Sequence, residues 1–166
     1  LLIIIGGIGF FTWEDIYLHK FHFKHYHMQS KVILTTTLCL ILLPAVFFFF
    51  QDYGNLSGIH RLLASLFQAV TPRTAGFNTT DLSMLTGASK AMMILLMLIG
   101  GSPSSTAGGM KTTTFALLLL NVLATFQSCD DVTAFGRRID TSVIKNATTI
   151  AMMYFILFFA GGMTIS

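Results

Sequence analysis

The sequence predicts an all-α integral membrane fold in which a helix, a short re-entrant half-helix and a broken second helix make one unit. Three observations lead there. The chain has 166 residues, of which 54% are hydrophobic and 10% charged, whereas an ordinary soluble domain carries about 25% charged residues. Sixteen Phe and nine Met add to the apolar load, and the longer apolar runs lack the polar face that a soluble bundle helix needs. Between two of these runs lies a helix-patterned segment too short to cross a bilayer, which requires about 20 residues.

The elements follow in order. Residues 1–10 read as the end of a transmembrane helix of a preceding unit, since Leu1-Leu2-Ile3-Ile4-Ile5 is already apolar; the abrupt start predicts a piece of a longer protein. Residues 11–31 form a polar connector. Residues 32–127 make one complete unit, opened by a full span over 32–50 with Pro44 inside it, which is expected to kink the helix, a kink that neighbouring helices can tolerate in a membrane. In residues 58–71 the apolar positions Ile59, Leu62, Leu63, Leu66, Phe67 and Val70 follow helical spacing. That segment reads as a half-helix entering the membrane, with a surface helix as the alternative. Residues 72–79 follow as a loop. The second span begins near Ala88 and is broken over 100–111 between apolar halves at 91–99 and 115–120. Residues 128–141 form a second connector, and 142–166 open the next unit, truncated. Leu1-Leu2-Ile3-Ile4-Ile5-Gly6-Gly7 matches Leu95-Leu96-Met97-Leu98-Ile99-Gly100-Gly101 at five of seven positions, a short trace of internal repetition.

Charge sets an orientation. Lys20, Lys24, Lys31, Arg137, Arg138 and Lys145 fall in or beside the two connectors, against Arg61, Arg73 and Lys90 on the other side. Six against three places the connectors in the cytoplasm by the positive-inside rule, so the half-helix enters from outside. The net charge of +3 is too small to suggest nucleic acid. Cys39 lies in an apolar run and Cys129 in a connector, so they are not expected to pair.

Two motifs carry the chemistry. Thr74-Ala75-Gly76-Phe77, followed by Asn78, has the order of the Thr-Val-Gly-Tyr-Gly filter of potassium channels: Thr, a small or β-branched residue, Gly, an aromatic. A potassium ion can exchange its hydration shell for backbone carbonyls, and an extended strand can aim them along one line if a residue without Cβ relieves the strain, hence Gly76. The unit thus reads as a helix–pore-loop–helix repeat, as in potassium channels, with 72–79 as the selectivity filter. The second motif is Gly100, Gly101, Ser102, Pro103, Ser104, Ser105, Thr106, Ala107, Gly108 and Gly109, closed by Lys111. Between apolar halves this stretch breaks a membrane helix. A Lys at that depth costs about 2.5–3.5 kcal/mol on insertion scales, so it should face water, a carboxylate or a carbonyl. A phosphate loop is excluded because Met110 separates Gly109 from Lys111. Helix packing through small residues is the alternative.

The run from Phe67 to Asn78 resembles the third pore loop of the Ktr/Trk/HKT potassium-transporter superfamily. The run from Ile99 through Lys111 to Thr113 resembles its intramembrane gating loop, and Gly6-Gly7-Ile8-Gly9-Phe10 with Trp13-Glu14-Asp15-Ile16 resembles the cytoplasmic end of its second repeat. The likeness points to the bacterial Ktr membrane subunits within that superfamily. It implies four repeats around one pore, of which this chain holds the end of the second, all of the third and the opening of the fourth. It further implies uptake of potassium ions across the bacterial plasma (inner) membrane by a multi-pass protein, with Gly100 to Lys111 as the gate. A homodimer in the full-length form, a cytosolic nucleotide-binding regulatory subunit of the KtrA/TrkA type, and sodium as a coupling ion belong to the same expectation. No cofactor and no resident metal are implied.

The remaining features are ordinary. His19, His22, His25 and His27 share a connector with Lys20 and Lys24 and read as a solvated loop rather than a metal site. Asn55-Leu56-Ser57 and Asn78-Thr79-Thr80 match the glycosylation pattern by accident of a short motif. Glu14 and Asp15 are adjacent and form no catalytic pair, and no nucleophile–base arrangement suggests an enzyme. A non-transporting intramembrane assembly module is the second function class.

Overall fold

The longest apolar run, too greasy to be solvated, folds as a single helix that organises the rest. In the computed structural model, residues 2–20, 22–54, 58–73, 75–77, 85–128 and 131–165 are described. Helix α1 (Leu2–Gly7) leads through a bend at Gly9 into α2 (Phe10–His19); a short 3-10 turn at Phe23–His25 precedes α3 (Met28–Gln51). Then come α4 (Gly58–Val70), α5 (Gly87–Leu98), α6 (Thr112–Phe126), a hairpin of β1 (Thr133–Ala134) and β2 (Arg137–Arg138), and α7 (Thr141–Ile165).

Helices α3 and α7 are long and apolar enough to cross a membrane. At 1.5 Å per residue, the 24 residues of α3 reach about 36 Å, more than the roughly 30 Å hydrocarbon core. Helix α3 continues as a helix through Pro44. The 13 residues of α4 reach about 20 Å and cannot cross. Helices α5 and α6, of 12 and 15 residues, are each too short alone; the chain leaves the helical path between them.

Two features depart from the sequence expectation. The all-α reading omits the hairpin, whose turn places Phe135 and Gly136 at φ 49° and 77° and pairs Thr133 with Arg138 and Ala134 with Arg137. Two successive left-handed residues are what a tight two-residue hairpin turn requires. The connector over 11–31 is also more than a solvated loop, because α2 fills half of it and buries Thr12 and Asp15. Asp15 fastens α2 to the start of α3: its carboxylate accepts the His27 N–H at 3.1 Å, faces His27 Nδ1 at 2.6 Å and accepts a short hydrogen bond from the Ser30 hydroxyl. The other histidines of this connector contact one another, His19 stacking on His25 and His22 meeting His25 edge-on.

Burial by itself would raise the Asp15 carboxyl, but the hydrogen bonds from Ser30 and His27, helped by the His27 charge, hold it below its ordinary value of 3.8. A depressed folded value means that the stabilisation is complete above the unfolded pKa and is lost as pH falls through the lower, folded one. Asp15→Ala in the full-length protein should loosen α2 by about 1–3 kcal/mol, because the buried Ser30 hydroxyl loses its acceptor and the ties to His27 are lost. Protease cleavage between α2 and α3 measures it: faster cutting in the variant at pH 7, and in the parent only under strongly acid conditions.

The contacts assign the loops to two ends. Phe23 meets Phe135 at 6.2 Å, and Val32 of α3 packs with Ala116, Val132, Ala134 and Ile139, so both connectors share one end. At the other end Asp52, just past α3, accepts the Thr86 N–H at 3.1 Å and a short hydrogen bond from the Ser89 hydroxyl. Thr86 in turn caps α5 by accepting the Ser89 N–H. A core of Ala45, Phe48, Tyr53, Ala69, Leu85, Met93 and Leu96 seats α4 between α3 and α5.

Candidate functional site: a half-helix turn beside a broken span

Helix α4 is fixed along its length. Near its start Arg61 donates through Nε and Nη2 to the Phe49 carbonyl at 2.9 and 2.6 Å and lies over the Phe49 ring at 4.0 Å. Near its end the buried Gln68 donates to Met93 Sδ at 2.9 Å. These ties aim the C-terminal end of α4, and with it the roughly half-unit negative charge of a helix terminus, at the described residues 71–73 and 75–77. That end suits a cation.

The segment after α4 closes on Thr71. Residues 71–73 and 75 are in turn conformation, the Gly76 N–H donates to the Thr71 carbonyl at 2.9 Å, and the Thr71 hydroxyl donates to the Phe77 carbonyl at 2.5 Å. Gly76 has φ +68° with nothing within 4 Å of where a Cβ would stand. The extended strand expected from the sequence is therefore a turn among these described residues. Its cause is Thr71, which holds both the amide of Gly76 and the carbonyl of Phe77. Sequence reasoning missed this role, although a Thr directly after the half-helix was a signal. Ala75 is in the turn, Gly76 and Phe77 follow it and bond back to Thr71, and Phe77 is exposed. The predicted filter residues Thr74 and Asn78 lie outside the described residues, as do Thr79 and the Asn55-Leu56-Ser57 pattern.

The break in the second span is an ordered loop. The Gly100 N–H donates to the Met110 carbonyl at 2.9 Å, the Met110 N–H to Leu98 at 3.1 Å and the Thr112 N–H to Gly101 at 3.1 Å. These bonds run entry and exit side by side as a parallel bridge, so the end of α5 and the start of α6 lie next to each other while residues 102–109 bulge between them. Glycine is required at the root, since a Cβ on Gly100 would stand 1.6 Å from the Gly108 carbonyl oxygen and one on Gly101 2.4 Å from Ala107 Cβ. Ser102 is fully buried; its N–H donates to the Gly7 carbonyl at 2.9 Å, and its hydroxyl accepts from Thr112 at 3.2 Å. The Ser105 hydroxyl donates to the Ser102 carbonyl at 2.6 Å. Ser104, Thr106, Gly108 and Gly109 are exposed, with Pro103, Ser105 and Ala107 half-buried. The Lys111 ammonium donates to the Ala107 carbonyl at 2.9 Å.

The two motifs meet. Arg73, counted among the outer charges in the sequence, is buried and donates through Nη2 to the Gly100 carbonyl at 3.3 Å. Val70, Arg73, Gly100, Gly101 and Ala107 line one small cavity with Gly7 of α1. The bend between α1 and α2 grips the loop as well, with the Phe10 N–H donating to the Ser104 carbonyl at 3.3 Å. A Cβ on Gly9, at φ +85°, would stand 2.3 Å from the Pro103 carbonyl oxygen. The segment ending in Gly7 and its sequence match ending in Gly101 are thus in direct contact.

Two helices long and apolar enough to cross a membrane, a short helix between them and a glycine-rich loop between two shorter apolar helices suit an integral membrane protein. A family model described as cation transport protein, TrkH, matches residues 1–166, and the chain belongs to that family. It is 36% identical over 166 residues to the Ktr system potassium uptake protein B of Bacillus subtilis, covering 96% of this chain and 37% of that protein. It is 35% identical to the potassium/sodium uptake protein NtpJ of Enterococcus hirae, with 90% of this chain and 34% of that protein covered. The Ktr system potassium uptake protein B of Vibrio alginolyticus is 34% identical over 92% of this chain and 35% of its own length. The chain therefore spans about a third of these relatives.

Proposed function

We propose that this chain forms one quarter of the wall of a potassium-selective pore in a bacterial plasma-membrane uptake protein. Thr74, Ala75, Gly76, Phe77 and Asn78 would form the filter, and Gly100 to Lys111 would be the gate. One observation carries the reading: a half-helix points its C-terminal end into a glycine-containing turn that stands directly against the root of a loop breaking the next span. Non-helical backbone at membrane depth is stable where it is buried in protein or lines a watery cavity, and both segments are non-helical there. The names of the relatives give potassium, and in one case potassium and sodium, as the cargo. Three further quarters from the rest of the full-length protein complete the pore. A homodimer, a cytosolic nucleotide-binding subunit of the KtrA/TrkA type and sodium coupling belong to that larger assembly. Both connectors face the cytoplasm in this reading, and residues 51–57 and 80–87 face outward.

The test is potassium uptake by the full-length protein in potassium-starved cells that lack other uptake systems. Rapid, saturable potassium accumulation is the expected result. A stably inserted protein that moves no potassium would replace the pore with an assembly module.

A further inference from the structure

Arg73 stands three residues past the end of α4, within the turn that leads to Gly76, yet its guanidinium reaches the other motif. It is 8% exposed and donates to the carbonyl of Gly100. Gly100 is the point at which the chain leaves α5. Its amide is held by Met110, and its Cα is pressed against the Gly108 carbonyl, so Gly100 moves only if the root of the loop moves. A buried guanidinium needs its hydrogen-bond acceptors, because burial without them is strongly unfavourable. Shifting the loop root away from α4 would remove one of those acceptors.

We propose that Arg73 is a positioning residue that ties the filter turn to the hinge of the glycine loop and holds the loop in its obstructing position. The inference rests on the reading of that loop as a gate. Because α4 is itself anchored by Arg61 to the Phe49 carbonyl and by Gln68 to Met93, the fixed end of this strut is the pore half-helix and the movable end is the loop. Filter and gate are thereby one mechanical unit: a movement that frees the loop also releases the turn containing Gly76.

The experiment uses the full-length transporter in cells lacking its cytosolic partner and reads potassium uptake per folded transporter. The variants are Arg73→Met, Arg73→Lys, deletion of residues 104–107, and the deletion combined with Arg73→Met. Arg73→Met should raise partner-independent uptake roughly tenfold, the size expected when one charge-assisted hydrogen bond is lost. Arg73→Lys, which keeps a charged donor, should give a smaller rise. Arg73→Met should add nothing in the deletion background, and it should speed modification of Ser104→Cys by a thiol reagent applied to the cytoplasmic face. Wild-type uptake and labelling in Arg73→Met, beside raised uptake in the deletion, would overturn the strut and leave the gate standing. Additive effects of deletion and substitution would also overturn it. If neither change raises uptake, gate and strut both fall. Where Arg73→Met does not accumulate, Arg73→Lys decides: faster Ser104→Cys labelling supports the strut and wild-type labelling overturns it.

Discussion

Gly76→Ser in the full-length transporter is expected to cut discrimination of potassium against sodium by about tenfold or more, with insertion and folded abundance near those of the parent. Gly76 sits at φ +68° with open space where a side chain would stand, so the cost is conformational rather than steric, about 1–2 kcal/mol for an L-residue in the left-handed region. The backbone can escape that cost by turning out of the region. Doing so would swing the amide that bonds Thr71 and the adjoining Phe77 carbonyl that accepts the Thr71 hydroxyl. Selectivity depends on where such carbonyls stand relative to the ion, and about 1.4 kcal/mol of differential binding is a factor of ten. Competition of sodium with potassium uptake reads the effect. Unchanged potassium affinity with unchanged rejection of sodium would remove Gly76 from the selectivity machinery.

Deleting residues 104–107 should raise potassium flux per folded transporter and free it from the regulatory partner. The deletion spares the backbone bonds at the root, Gly100 to Met110, Met110 to Leu98 and Thr112 to Gly101. It removes the tip, including the Ser104 carbonyl gripped by Phe10 and the Ala107 carbonyl that holds the Lys111 ammonium. A gate needs a bias of only a few kcal/mol between its states, and losing two such grips is of that order. The expected rise is about tenfold or more in cells without the partner. A loop that merely packs helices predicts the opposite: less folded protein and proportionately less flux. Unchanged or reduced flux at normal folded abundance would sink the gate.

Much of the fold was legible because apolar spacing and length decide it locally. The periodic set from Ile59 to Val70 corresponds to α4, the run over 32–50 lies within α3, and the glycines and serines of 100–109 correspond to the gap between α5 and α6. What sequence could not give was contact between distant segments. Thr71 reads as a helix end until its hydroxyl is found on Phe77, and Arg73 reads as an outer charge until its guanidinium is found on Gly100. Asp15 reads as half of an adjacent acidic pair until Ser30 and His27 are seen around it. Each is a polar residue in an apolar protein, and its partner lies 6, 27 or 12–15 residues away. Local periodicity carries no information at those separations. The hairpin at 133–138 was missed for a different reason, since two-residue strands fall below any period-2 pattern.

Whether residues 71–77 line the path of potassium is decided by the rate at which an impermeant thiol reagent, added outside cells, modifies Phe77→Cys in the full-length transporter without Cys39 and Cys129. Phe77 is exposed at the end of the turn, and Lys24 is exposed in the opposite connector. Phe77→Cys should be modified from outside, potassium should slow the reaction severalfold while equal sodium does not, and Lys24→Cys should stay unlabelled. Labelling of Phe77→Cys that is indifferent to potassium would take the turn off the ion path, and strong external labelling at position 24 would reverse the orientation on which that path depends.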